Sequence, residues 1–267
     1  MKRNFRYLIV LLIFAGCAPV QKLPANNEAD AAVVHGKIWA SAFQQRAAEY
    51  RALCYQAYNI ARLRLDEIVK ASPTKPRAIV TDIDETVLDN SPYAVLRGLQ
   101  GLDYSLSTWH EWTALGQADT LPGAFDFFTY AASKGIEVYY ITNRDEAERK
   151  GTLDNLKKFK FPYADDKHLM LKQSTSSKEE RRTSLARTHD IVMLLGDNLG
   201  DFHFLFDKKS SDDRNSNVDA LSSQFGNRFI ILPNPTYGDW EGALYNYNWN
   251  LTPAQKDSAI RARLKSY

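Results

Sequence analysis

Asp82 and Asp84 stand two residues apart directly after Ala78-Ile79-Val80-Thr81, a largely apolar run bounded upstream by Pro73 and Pro76. Such a run suits a central parallel strand that delivers acids from its carboxyl end into a crevice. Asp197 and Asp201 follow a second apolar run, Asp190 to Leu195. Thr142 and Asn143 follow a third, Ile136 to Ile141, and Lys178 comes just beyond a short fourth, His168 to Lys172. In an open parallel sheet these ends converge. Three or four carboxylates gathered together repel one another unless a cation sits among them, and an oxygen-only ligand set favours a hard ion such as Mg²⁺ over zinc. Such an ion beside a lysine suits phosphate. An Asp-x-Asp pair alone is weak, because acids after a strand are often turn or cap residues; the order of the later residues gives it weight.

Strand, helix and strand alternate through the middle of the chain, which predicts an α/β fold, a Rossmann-like core with a parallel sheet flanked by helices. Apolar residues at three- and four-residue steps from Trp39 to Ile68 predict one or two amphipathic helices over about 31–70, their stripe packing in the core. The Trp- and Tyr-rich stretch 91–120 has no β pattern and reads as a small helical cap. Ser177 to Thr188 reads as a basic helix, its spacing turning at least one of Arg181 and Arg182 to solvent. Ser210 to Ser216 reads as a mobile polar loop, and about Pro253 to Leu264 as a C-terminal helix. The domain plan is therefore a leader (1–16), a tether (17–28) and one domain (29–267). That domain comprises N-terminal helices (29–72), a core (76–90 and 121–235), the cap and a C-terminal segment (236–267).

The leader carries Lys2, Arg3 and Arg6, then an apolar run from Tyr7 to Phe14 too short to span a bilayer, then Ala15-Gly16-Cys17. Phe14-Ala15-Gly16-Cys17 resembles a bacterial lipobox, which makes Cys17 the lipidated first residue; Ala18 after it favours the outer membrane. An ordinary secretory signal or signal anchor is the alternative. Without the three basic leader residues, 31 basic face 32 acidic residues, a balance that gives no support for nucleic-acid binding. Besides Cys17 only Cys54 remains, so there is no intramolecular disulfide framework, and Cys54 reads as a small core side chain.

The segments Asp82-Ile83-Asp84-Glu85-Thr86-Val87-Leu88-Asp89-Asn90-Ser91-Pro92-Tyr93 and Val192 to Phe202, with Gly196-Asp197-Asn198-Leu199-Gly200-Asp201, resemble the paired signatures of class C acid phosphatases of the haloacid dehalogenase superfamily. The resemblance covers essentially the whole mature chain; Thr81 is a mild departure. It implies a Mg²⁺-dependent acid phosphomonoesterase acting on small phosphate monoesters, nucleoside 5′-monophosphates among them. Asp82 would be the nucleophile that becomes an aspartyl-phosphate, and Asp84 the general acid and base. Mg²⁺ would be held by Asp82, the Asp84 carbonyl and Asp197, with Asp201 acting through water. The Thr142 hydroxyl and the Asn143 amide would bind phosphoryl oxygens, and Lys178 would neutralise the phosphoryl group and Asp82. The resemblance also implies a homodimer.

Trp109 and Tyr237 are candidates for a platform that grips a substrate ring by stacking, although such aromatics are more often core. Two alternatives stay open, phosphotransfer to an alcohol through the same intermediate and a surface lipoprotein that binds ligand without turnover. Other phosphatase chemistries lack their motifs: neither cysteine has an arginine six positions on, no Arg-His-Gly occurs, and no Gly-x-Ser-x-Gly elbow occurs.

Overall fold

In the computed structural model, which describes residues 28–267, a five-stranded parallel sheet forms the centre. The leader, Cys17 and the tether up to residue 27 lie outside the described residues. In chain order the main elements are α1 (Glu28–Arg46), α2 (Ala48–Ile68), β1 (Arg77–Thr81), β2 (Leu88–Asp89), α3 (Ser91–Leu99), α4 (Leu106–Ala114), β3 (Asp119–Thr120), α5 (Ala124–Ser133), β4 (Glu137–Ile141) and α6 (Arg149–Lys158). There follow β5 (Leu169–Met170), α7 (Glu179–Ala186), β6 (Asp190–Gly196), α8 (Ser211–Ala220), β7 (Phe229–Ile231), α9 (Asp239–Leu244) and α10 (Pro253–Arg261). The sheet order is β5-β4-β1-β6-β7, so β1 is central, and its neighbours β4 and β6 flank it in parallel register. Burial of Ala78, Ile79 and Val80 on both faces explains why this strand is continuously apolar.

The chain leaves β1 through a tight turn. The amides of Val87 and Leu88 donate to the Ile83 carbonyl, and Glu85 sits at φ 53°, in the left-handed region where a side chain costs energy. That turn feeds β2, which pairs antiparallel with β3 and makes a narrow base for the cap helices α3 and α4. The cap is docked closely: a Cβ on Gly151 of α6 would fall 2.2 Å from the Thr113 carbonyl of α4, so only glycine allows this approach.

Three expectations need correction. The stripe on α2 is core, with Tyr50, Cys54, Ala57, Ala61 and Leu65 buried, but Trp39 on α1 is 81% exposed. Periodicity reports a face without reporting what covers it. Residues 210–216 open a helix, α8, because the Ser210 hydroxyl caps the Asp213 amide and the buried Arg214 donates to the Phe206 carbonyl. Finally, Arg181 and Arg182 are both buried, for reasons given below.

Candidate active site

Strand ends bring the acids together. The Asp82 amide donates to the Leu195 carbonyl at 2.9 Å, which continues the β1–β6 ladder one step and fixes where its carboxylate emerges. Asp197 leaves the end of β6. Asp201 lies in the following 3₁₀ turn, where its carboxylate accepts the Asn198 amide while the Asn198 side chain accepts the Gly200 amide. A Cβ on Gly196 would lie 2.2 Å from the Asp201 carboxylate, so glycine there lets Asp201 reach inward. One oxygen each from Asp82, Asp197 and Asp201 falls within 4.8 Å of the others.

Lys178, at the start of α7, lays its ammonium between two of these acids, 2.5 Å from Asp82 and 2.6 Å from Asp201. Burial alone would lower its pKa, but Asp201 and Asp82 hold it up, so it stays charged. One cation does not balance three acids, of which Asp82 and Asp201 are buried and Asp197 partly so. Burial, with Asp201 and Asp84 nearby and against the pull of Lys178, pushes Asp82 up to about 7. Burial, with Asp201 and Asp82 nearby, pushes Asp197 well above the usual carboxylate range. An all-oxygen cluster with an excess of acid fits a hard divalent cation, and Asp82, Asp197 and Asp201 are the side chains that would hold it.

Asp84 points elsewhere. Its carboxylate accepts two hydrogen bonds from Arg144, at 3.0 and 2.7 Å, and one from Asn90 at 2.8 Å. Arg144, itself buried, also donates to the Thr152 hydroxyl. Thr142 is fully buried, its hydroxyl accepting the Arg144 amide, and it does not line the cavity; Asn143 and Arg144 do. Arg181 runs back under the site to the Thr142 carbonyl and the Asn143 side chain, and Arg182 donates to the Gly200 and Asp201 carbonyls. These two arginines therefore brace the loops after β4 and β6. The short α7 is wedged between those loops, so neighbouring positions on it both find carbonyls instead of water.

The acids floor a cavity of about 560 Å³, within the usual range for small-molecule sites. Its walls carry Tyr93, Tyr104 and Trp109 from the cap, and Tyr237 and Trp249 from the C-terminal segment. Trp109 is held edge-on by Tyr93 at 5.1 Å, with the Arg144 guanidinium 5.8 Å from its ring centre. Tyr237 donates its hydroxyl to the buried Glu85, whose pKa is pushed up to about 8 by burial and by Asp84. Elsewhere on the cavity lining, Lys37 of α1 and Lys256 of α10 both reach Asp103 of the cap at 2.8 Å. Glu85, Asn90, Arg144 and Asn234, which donates to Asp197, escape attention in the sequence. The signal for Glu85 and Arg144 is adjacency to Asp84 and to Thr142-Asn143.

Strand-end acids, a bridging lysine and an aromatic mouth define a phosphatase of the haloacid dehalogenase type. Residues 15–240 match the family described as HAD superfamily, subfamily IIIB (acid phosphatase), and the chain belongs to it. The class C acid phosphatase of Bacillus anthracis superposes with a TM-score of 0.85 at 43% identity, over 88% of this chain and 99% of that one. Its tungstate-bound structure gives the same TM-score and identity over 89% and 99%. Among plant proteins, the stem 31 kDa glycoprotein of Glycine max is 30% identical over 45% of this chain, and acid phosphatase 1 of Solanum lycopersicum 27% identical over 59%. The matches span 49% and 57% of those two proteins' lengths.

Proposed function

We propose that this acid phosphatase is a Mg²⁺-dependent phosphomonoesterase that transfers the phosphoryl group of small monoesters, nucleoside 5′-monophosphates among them, to Asp82 and then to water. The observation that carries this reading is the cluster of Asp82, Asp197 and Asp201 within 4.8 Å, tied by Lys178, at the floor of an aromatic-walled cavity. Tungstate bound to the Bacillus anthracis relative supports it, since tungstate is a tetrahedral oxyanion like phosphate. When bound, Mg²⁺ supplies positive charge that offsets the repulsion between the phosphate and the carboxylates.

An Asp82 oxygen attacks phosphorus while the bond to the leaving alcohol breaks, and Asp84 gives that alcohol its proton. Asp84 then takes a proton from a water molecule, which attacks phosphorus and returns Asp82 as a carboxylate. Arg144 orients Asp84 through its paired hydrogen bonds, and Lys178 holds the phosphoryl oxygens beside Asp82. Trp109 from the cap and Tyr237 from the C-terminal segment grip the nucleobase or aryl group. Lipidation at Cys17, an outer-membrane location and a homodimer belong to the same proposal; the leader pattern supports the first two. Hydrolysis of an aryl phosphate tests the chemistry. Chelator and Asp82→Asn should each abolish turnover, the variant by at least about 10⁴-fold; turnover surviving in the variant contradicts the assignment.

A further inference from the structure

A second cluster of ligating side chains lies where the cap meets the core. His110 is on cap helix α4, while Asp145 and Glu148 bracket the 3₁₀ turn, Glu146–Glu148, that follows β4. One donor atom from each lies within 4.8 Å of the other two. His110 Nε2 is 2.9 Å from Asp145 Oδ2 and 4.0 Å from Glu148 Oε2. Glu148 is only 3% exposed, and its Oε1 is buried with no hydrogen-bond partner among the described residues, a state native interiors seldom tolerate.

We propose that His110, Asp145 and Glu148 form a second metal site, for a borderline ion of the zinc class, that clasps the cap to the core. The carboxylates are already aimed: Asp145 Oδ1 accepts the Ala147 amide at 3.0 Å, and Glu148 Oε2 accepts the Asp145 amide at 2.8 Å. Backbone donors that fix ligand orientation are what metal sites use around their ligands. The side chains of His110 and Asp145 are 31% and 26% exposed, which leaves room for water at a fourth position, as in open three-ligand zinc sites. An imidazole with two carboxylates suits zinc, cobalt or nickel, whereas the all-oxygen cluster at Asp82 suits magnesium, so the two sites select different ions. His110 follows Trp109 and Asp145 follows Arg144, the two residues whose ring and guanidinium meet at the cavity wall. A metal here fixes both partners of that contact.

The test uses the full chain saturated with Mg²⁺, then titrated with Zn²⁺ and, for its visible spectrum, Co²⁺. The variants are His110→Ala, His110→Gln, which keeps a hydrogen-bond donor toward Asp145, and Asp197→Asn as a control at the other cluster. Wild type and Asp197→Asn should bind one equivalent that raises the melting temperature. Both His110 variants should bind it at least about 10-fold more weakly and lose the thermal shift. Equal Zn²⁺ uptake and equal thermal shift in wild type and His110→Gln overturns the proposal and leaves a hydrogen-bonded latch alone. Absence of uptake in wild type overturns it as well.

Discussion

At the floor of the cavity, Asp82, Asp201 and Lys178 lie buried within 2.6 Å contacts on strand ends and the turns that follow them. At the rim, Lys37 and Lys256 hold a half-exposed Asp103 across three separate elements. Both are ion clusters, yet they are built oppositely. The floor has more acid than base, and burial pushes Asp82 and Asp197 up in pKa. At the rim, burial would also raise Asp103, but two lysines outweigh it and hold its carboxyl well below the usual range. The floor's excess of acid fits a divalent cation, which suits chemistry. The rim is a satisfied tie between the cap and the terminal helices, which suits positioning of the wall that contacts the rest of the substrate.

Among changes that separate floor from wall and rim, removing the floor's lysine should show the largest effect. Lys178→Met leaves Asp82 and Asp201 unpaired, and kcat should fall about 10²- to 10³-fold with a smaller change in KM; a variant with unchanged kcat would mean that Lys178 serves folding alone. On the wall, Tyr237→Ala should raise KM for a nucleoside monophosphate about 10-fold more than for a small aryl phosphate, the amount expected from one lost stacking contact. Equal changes for the two substrates remove Tyr237 from ring recognition.

The smallest effect separates floor from rim by pH. Asp82 binds its proton more tightly folded than unfolded, so the stability it contributes is full below its unfolded value of 3.8 and is lost as pH rises through about 7. Asp103 is the reverse: its contribution is present above 3.8 and is lost as pH falls below it. In chelator, the melting temperature should therefore fall between about pH 4 and pH 8, with Glu85, pushed up to about 8, extending the loss. Saturating Mg²⁺ should flatten that slope. A melting temperature that climbs over the same range without metal contradicts an excess of acid at the floor.

The floor was far more legible in the sequence than the rim. Acids at the ends of apolar runs must converge if the runs form one parallel sheet, so Asp82, Asp197 and Asp201 could be grouped before any coordinates, and Lys178 with them. Asp103 and its two lysines are separated by 66 and 153 residues, and no local pattern joins them. Arg181 and Arg182 depart from the expectation because both side chains on α7 turn toward loops whose carbonyls need donors, while Glu180, Thr183 and Ser184 keep the open face. Helix α8, sequence SDDRNSNVDA, has almost no apolar face to detect; its cap and Arg214 hold it. Thr142, whose role as a phosphoryl ligand comes from the family resemblance, accepts the Arg144 amide through its hydroxyl, while Asn143 and Arg144 line the cavity.

The central claim is that Asp82 carries the phosphoryl group between substrate and water. It is tested most directly in Asp84→Asn, which retains the nucleophile but lacks the base that activates water. A reactive aryl phosphate needs little help to leave, so acid quenching of this variant with Mg²⁺, followed by peptide mapping, should find a phosphoryl group on Asp82. An unmodified Asp82 during continuing turnover, or a phosphoryl group on another residue, would contradict the account.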